Sequence, residues 1–115
     1  MLFTTTLVFA LQFLAVSAKL QTFNWNIGWV SASPDGLTRP FVGINGHWPC
    51  PPINVNLGDI IKINAYNGLG NESTAIHFHG IFQKGTNFMD GPAMVTQCPI
   101  APGESKSQEL PRGEI

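Results

Sequence analysis

The sequence predicts an all-β fold, a sandwich or barrel of short strands. Three observations predict it: apolar residues recur with period two, turn-forming clusters separate these runs every 8–15 residues, and no sustained helical period follows residue 18. The 12 glycines and 9 prolines among 115 residues suit such a loop-rich chain better than a helical bundle.

The elements follow in order. Leu20 to Val30 alternates, with Phe23, Trp25, Ile27 and Trp29 on one face and Asn24, Asn26 and Gly28 on the other, the pattern of a half-buried strand. Ser33-Pro34-Asp35-Gly36 carries turn chemistry. Pro40 to Ile44 is a short strand that ends at Asn45-Gly46, a hairpin-type signal. Trp48-Pro49-Cys50-Pro51-Pro52 is poor in N–H donors and belongs at an edge or in a loop. Ile53 to Asn56 is briefly extended, and Leu57-Gly58-Asp59 turns into a strand over Ile60 to Tyr66, where Ile61, Ile63 and Ala65 share a face. Asn67 to Asn71 is a loop, and Thr74 to His79 is the next strand, stopped by Gly80. Gly85 to Pro92 is irregular, Ala93 to Gln97 is a last short strand, and Pro99 to Gly103 turns. There is no internal repeat.

The N-terminus reads as a targeting segment. An apolar run, Leu7 to Val16, leads to a small-residue exit at Val16-Ser17-Ala18 before Lys19, which predicts a secretory signal peptide over residues 1–18; a buried N-terminal strand is the alternative. The run is too short to span a bilayer, and no other segment is long enough. The expectation is therefore a secreted, extracellular chain with no membrane span. Net charge is −1 and only 11% of residues are charged, so no basic stripe exists to hold nucleic acid. Outside the cell cysteines tend to pair. Cys50 and Cys98 either bond to each other, or Cys98 bonds to a cysteine outside this chain. Asn71-Glu72-Ser73 is a glycosylation sequon.

The chemistry-bearing stretch is Ala75 to Ser105. On a strand His77 and His79 share a side, with Cα atoms roughly 6.5–7 Å apart, while Ile76 and Phe78 point to the core. Imidazole is a ligand for copper, zinc, iron and nickel, and two rings so placed suit two neighbouring metals or one gripped between them. Two exposed histidines with no ligand role are the alternative. His47 is distant in sequence, and no histidine follows Cys98, which argues against a free-standing blue-copper site of two histidines and a cysteine. Asp90, in Met89-Asp90-Gly91, reads on chemistry alone as a turn cap; the functional reading is a carboxylate that orients a ligand or passes a proton. No nucleophile–base pair or phosphate loop is present.

Several motifs in order carry a resemblance. His77-Phe78-His79-Gly80, Met89-Asp90-Gly91, Thr96-Gln97-Cys98-Pro99-Ile100 and Ala101-Pro102-Gly103 resemble the first domain of multicopper oxidases, above all fungal iron-transport ferroxidases and related laccases. Asn45-Gly46-His47-Trp48-Pro49-Cys50-Pro51 and Val55-Asn56-Leu57-Gly58-Asp59 resemble motifs upstream of these in the family. The resemblance implies a cupredoxin-like Greek-key β-sandwich, here incomplete, with residues 19–105 as part of the first plastocyanin-like domain and 106–115 as a divergent tail. It implies copper as cofactor, His77 as a ligand of the type 2 copper, His79 as a ligand of the type 3 pair, and Asp90 as the acid beside the cluster. It implies that Cys98 bridges to a later domain, whereas the role of Cys50 stays open. The reaction it implies is one-electron oxidation of Fe(II) or a phenol coupled to reduction of O2 to water. The second histidine pair that the family carries after the Pro-Gly turn is missing from "KSQELPRGEI", so oxidase activity is not expected of this chain alone. A small secreted copper-binding or scaffold protein, and a β domain without metal, are the other two readings.

Overall fold

The structure, a computed structural model, describes residues 18–111. All but the last residue of the signal-peptide reading lies outside them. Four strands form one mixed sheet: β1 (Leu20–Ala32), β2 (Arg39–Ile44), β3 (Ile60–Asn67) and β4 (Ser105–Leu110), in the order β2-β1-β3-β4. β1 serves two partners in succession. Its first half pairs in parallel with β3, from Leu20↔Ile60 to Ile27↔Asn67. Its second half pairs antiparallel with β2, from Ile27↔Ile44 to Ala32↔Arg39. β4 closes the other edge antiparallel to β3.

The inner face follows from this register. Phe23 and Trp25 lie beside Ile63 and Ala65, and Ile61 and Ile63 lie beside Leu110 and Gln108. Ile27, Ile61, Ile63, Ala65 and Leu110 are buried there with Leu69, Phe78 and Ile100 from the covering segments. The outer face is polar. Asn64 Nδ2 donates to Asn24 Oδ1 at 2.9 Å, and the Ser107 hydroxyl donates to Asn64 Oδ1 at 2.7 Å.

The two-residue turn after β2 forms as the Asn45-Gly46 pair requires. Both residues have positive φ (52° and 78°), and Ile44 and His47 exchange backbone hydrogen bonds of 3.0 Å. Asp59 anchors the start of the sheet: its carboxylate accepts the N–H of Lys19 at 3.0 Å, that of Asn56 at 3.1 Å and the Gln21 amide at 3.3 Å. The Lys19 and Asn56 hydrogen bonds, in that order, hold its pKa below the usual 3.8.

Four expectations are corrected. Trp29 is 48% exposed and leaves the apolar face of β1, because β3 ends at Asn67 and the indole N–H turns to donate to Leu69 O at 3.1 Å. Ala93 to Gln97 is a turn rather than a strand, with Met94 at φ 63° donating its N–H to Gln97 O at 2.7 Å. Ile76 to His79 alternates in burial as read, and so does Ile53 to Asn56, read only as extended, but neither Ile53 to Asn56 nor Thr74 to His79 joins a ladder; the second has one bridge, Thr74↔Ile100. Finally, "KSQELPRGEI" is not only a polar tail, since Lys106 to Leu110 is most of β4 and turns Gln108 and Leu110 inward. The layer opposite the sheet is thus extended segments and turns among the described residues, including a short 3-10 turn at Asn87–Met89.

Candidate metal centre

The segment Ile76 to His79 carries the two imidazoles. Phe78 enters the core at 9% exposure and Ile76 is half-buried, so the backbone's two-residue alternation turns His77 and His79 outward together. Their ring centroids are 5.9 Å apart, with planes at 74°. No hydrogen-bond partner to the His79 ring is present among the described residues.

Asp90 stands behind His77. The 3-10 turn delivers it, with Asp90 N–H donating to Asn87 O at 3.1 Å. The Asp90 carbonyl accepts the Phe78 N–H at 3.2 Å and lies 3.1 Å from His77 Nδ1. His77 Nδ1 is also 3.4 Å from Asp90 Oδ1, a buried oxygen with no hydrogen-bond donor. Both oxygens facing Nδ1 are acceptors, so Nδ1 carries the proton and donates to the carbonyl. In the neutral ring Nε2 then keeps its lone pair open to a metal. The same arrangement, a ligand ring fixed through its other nitrogen, orients imidazoles in metal sites generally. Asp90 thus closes the 3-10 turn through its backbone N–H, in line with the turn reading, while its Oδ1 has no hydrogen-bond partner.

Two residues to which the sequence reading gave no role of their own hold these segments together. Gly91 has φ 108°, and a Cβ there would lie 1.6 Å from Ile76 O, so the Asp90 turn rests directly on the backbone beside His77. Gln108, fully buried on β4, donates Nε2 to Ile76 O at 3.1 Å and to Met89 O at 3.0 Å. The available signals were the glycine after Asp90 and the alternation of Gln108 and Leu110 with Ser107 and Glu109.

The other singled-out residues stand apart from this cluster. Cys50 and Cys98 are both exposed and free, so they are not bonded to each other. His47 is exposed at the turn after β2, and Asn71 is exposed in the loop after β3. His77 and His79 are both exposed, and two grooves of about 320 Å³ are lined by other residues. Among the described residues no group of three or more histidine, cysteine, aspartate or glutamate side chains forms a metal cage. His77 and His79 therefore fit a copper ion as a partial donor set: two imidazoles, one of them held through its Nδ1.

Known proteins share this sequence and fold. Residues 26–113 match the family model for multicopper oxidase, past Lys106, where the sequence reading ended the resemblance. The chain is 54% identical over 101 residues to the iron transport multicopper oxidase fetC of Epichloe festucae, a match that covers 87% of this chain and 16% of that protein. It superposes on the crystal structure of Fet3p, a multicopper oxidase that functions in iron import, with TM-score 0.76 and 46% identity, covering 83% of this chain and 18% of Fet3p. On the laccase of Botrytis aclada the TM-score is 0.79 at 35% identity, over 85% of this chain and 18% of the laccase. The chain thus spans about a sixth of the length of its curated relatives. The open, nearly all-β sheet is that of a cupredoxin-like domain, and the chain belongs to the multicopper oxidase family, whose cofactor is copper.

Proposed function

We propose that this chain is the first plastocyanin-like domain, over about residues 19–105, of a secreted or cell-surface multicopper oxidase. In this reading it supplies His77 to the type 2 copper and His79 to the type 3 pair. The observation that carries it is the pair itself: two imidazoles turned to one side, 5.9 Å apart, with His77 Nδ1 engaged by Asp90 O. The family match and the Fet3p and laccase likenesses support it.

Bound copper would carry single electrons from a reducing substrate, Fe(II) or a phenol, to O2, which leaves as water. The chain's own residues orient and protonate. Asp90 O holds the His77 ring with Nε2 free. Asp90, its Oδ1 free of hydrogen-bond donors, is placed to hold a proton and pass it towards the cluster. Copper's remaining ligands would come from outside the described residues. Cys98, exposed and unpaired, is available to bridge to another domain, and Asn71 is available for glycosylation. No helix among the described residues is long and apolar enough to cross a membrane.

The experiment is copper loading of the 115-residue chain. Cu(II) should bind at neutral pH and be released in mild acid, since imidazole binds copper only when neutral. His77→Ala or His79→Ala should each abolish stoichiometric binding. O2 uptake with Fe(II) or a phenol should be absent for the chain alone. Copper retained by the double alanine variant, or turnover lost on His77→Ala, would overturn the reading.

A further inference from the structure

Gln108 is a buried polar side chain on the inward face of β4, between Lys106 and Leu110, and its side-chain hydrogen bonds do not go to β3. Both acceptors of its Nε2 belong to the covering layer: Ile76 O, the carbonyl before His77, and Met89 O, the carbonyl before Asp90. Two carbonyls face this end of the amide, so the NH2 group must sit there, and Oε1 faces the interior. That Oε1 is buried with no partner. An unpartnered buried acceptor costs folding free energy, and a methionine of similar shape would avoid it. Gln108 is therefore a poor choice for core packing alone. What it accomplishes is a fixed separation between two segments that have no ladder to hold them.

Apart from the packing of Gly91 on Ile76 O, the remaining hydrogen bonds between these segments converge on one atom. Phe78 N–H and His77 Nδ1 both donate to Asp90 O. Contacts meeting at one oxygen leave rotation about it free. Two further contacts, one residue upstream on each side and joined through a single planar amide anchored on β4, remove that freedom. We propose that Gln108 is a positioning residue for the metal face: by bracketing Ile76 O and Met89 O it sets the orientation of His77 against Asp90, and with it the tautomer that leaves Nε2 open. The inference rests on the copper reading only for what the imidazole binds; the positioning itself is a property of the metal-free chain.

The test compares Gln108→Met with Leu110→Ala in the 115-residue chain. Leu110, two residues along β4 and 1% exposed, is a packing control without a role in the bracket. Two readouts are taken: the His77 ring tautomer from 15N NMR of metal-free protein, and Cu(II) affinity by competition against glycine. In the parent chain His77 should be the Nδ1–H tautomer. Gln108→Met should mix the tautomers and weaken Cu(II) binding by about tenfold or more, the scale of losses when a ligand's outer partners are removed. Leu110→Ala should unfold at lower urea, yet keep the tautomer and hold copper within about twofold of the parent in its folded form. A Gln108→Met chain with the parental tautomer would overturn the proposal. So would a Leu110→Ala chain that lost tautomer and copper together, since Gln108 would then be core packing. If the parent chain bound no copper at all, the copper reading would fail, and the tautomer comparison would still decide the role of Gln108.

Discussion

The sheet and the layer that covers it are built on different principles. In the sheet each strand is tied to its neighbours by consecutive ladder pairs, and β1 spends its length on two partners in turn. Loss of one contact there is shared by many. The covering layer, residues 74–100, has one bridge to Ile100, a 3-10 turn and a handful of single contacts: Gly91 on Ile76 O, Phe78 N–H on Asp90 O, Gln108 on two carbonyls. The imidazoles and Asp90 sit in this second region. Stability is therefore concentrated in one region and site geometry in the other, and substitutions should separate the two.

The largest effect is expected at Gly91. An alanine must hold φ near 108° and place Cβ 1.6 Å from Ile76 O, a backbone atom that has nowhere to yield without moving His77. Gly91→Ala should cost about 3–5 kcal/mol by urea denaturation and leave Cu(II) binding undetectable. A Gly91→Ala chain that loads copper as the parent does would show that the turn is not what sets the site.

Ile63→Ala is the matching insult to the sheet. Ile63 is fully buried between Phe23 and Gln108 in the register, and its truncation should cost about 2–5 kcal/mol. Because the ladder holds β3 in place, the folded fraction should bind Cu(II) with parental affinity. If affinity fell in step with stability, the division between regions would be false.

The same division explains what was legible in the sequence. Period-two burial was legible in both regions, since it depends only on side-chain type and extended backbone: Ile61, Ile63 and Ala65 face inward, and so does Phe78 between its two histidines. The turn at Asn45-Gly46 was legible because positive φ at both residues selects those types. Ladder membership was not legible, because pairing depends on a partner elsewhere in the chain. Ile53 to Asn56 and Ile76 to His79 alternate in burial outside any ladder. Ala93 to Gln97 was misread because Met94 takes a left-handed backbone that its side chain does not announce. Gln108 was hidden for a related reason. In a polar run it looks solvated, and only pairing with β3 turns it inward.

Where the regions meet, an intermediate effect is expected. Asn67, the last residue of β3, is fully buried; its Nδ2 donates to Glu72 O and Ile100 O, each at 2.8 Å, and its Oδ1 accepts the Leu69 N–H at 3.0 Å. Asn67→Ala would take this partner from the Leu69 N–H and Glu72 O, while Ile100 O keeps the Thr74 N–H, and should cost about 2 kcal/mol. Hydrogen exchange is the sharper measurement. The Leu69 and Thr74 amides should exchange faster, and those of Ile61 and Ile63 should slow or quicken only with global stability. Equal acceleration everywhere would make Asn67 part of the sheet rather than its junction with the covering layer.

The smallest effect tests the far end of the sheet and depends on pH. Asp59 has a pKa below 3.8 because the Lys19 and Asn56 N–H groups hold its charged form. The folded state therefore binds fewer protons at this site than the unfolded chain, and the stabilisation is complete above the unfolded value. It is lost as pH falls below about 3.8 through the lowered folded value. Asp59→Asn removes the charge but keeps the side chain's shape, so the parent should melt above the variant at pH 6 and the gap should narrow by pH 2.5. Metal-free protein is needed, because acid also releases copper from the imidazoles. Phe78 amide protection, measured over the same range and corrected for global stability, should not follow this gap, since Asp59 contacts only the start of β1 and the turn before β3. A gap that stayed constant with pH would mean that shape rather than charge anchors the first residues of the sheet, and a Phe78 response that tracked it would join the two regions that the hydrogen bonds keep apart.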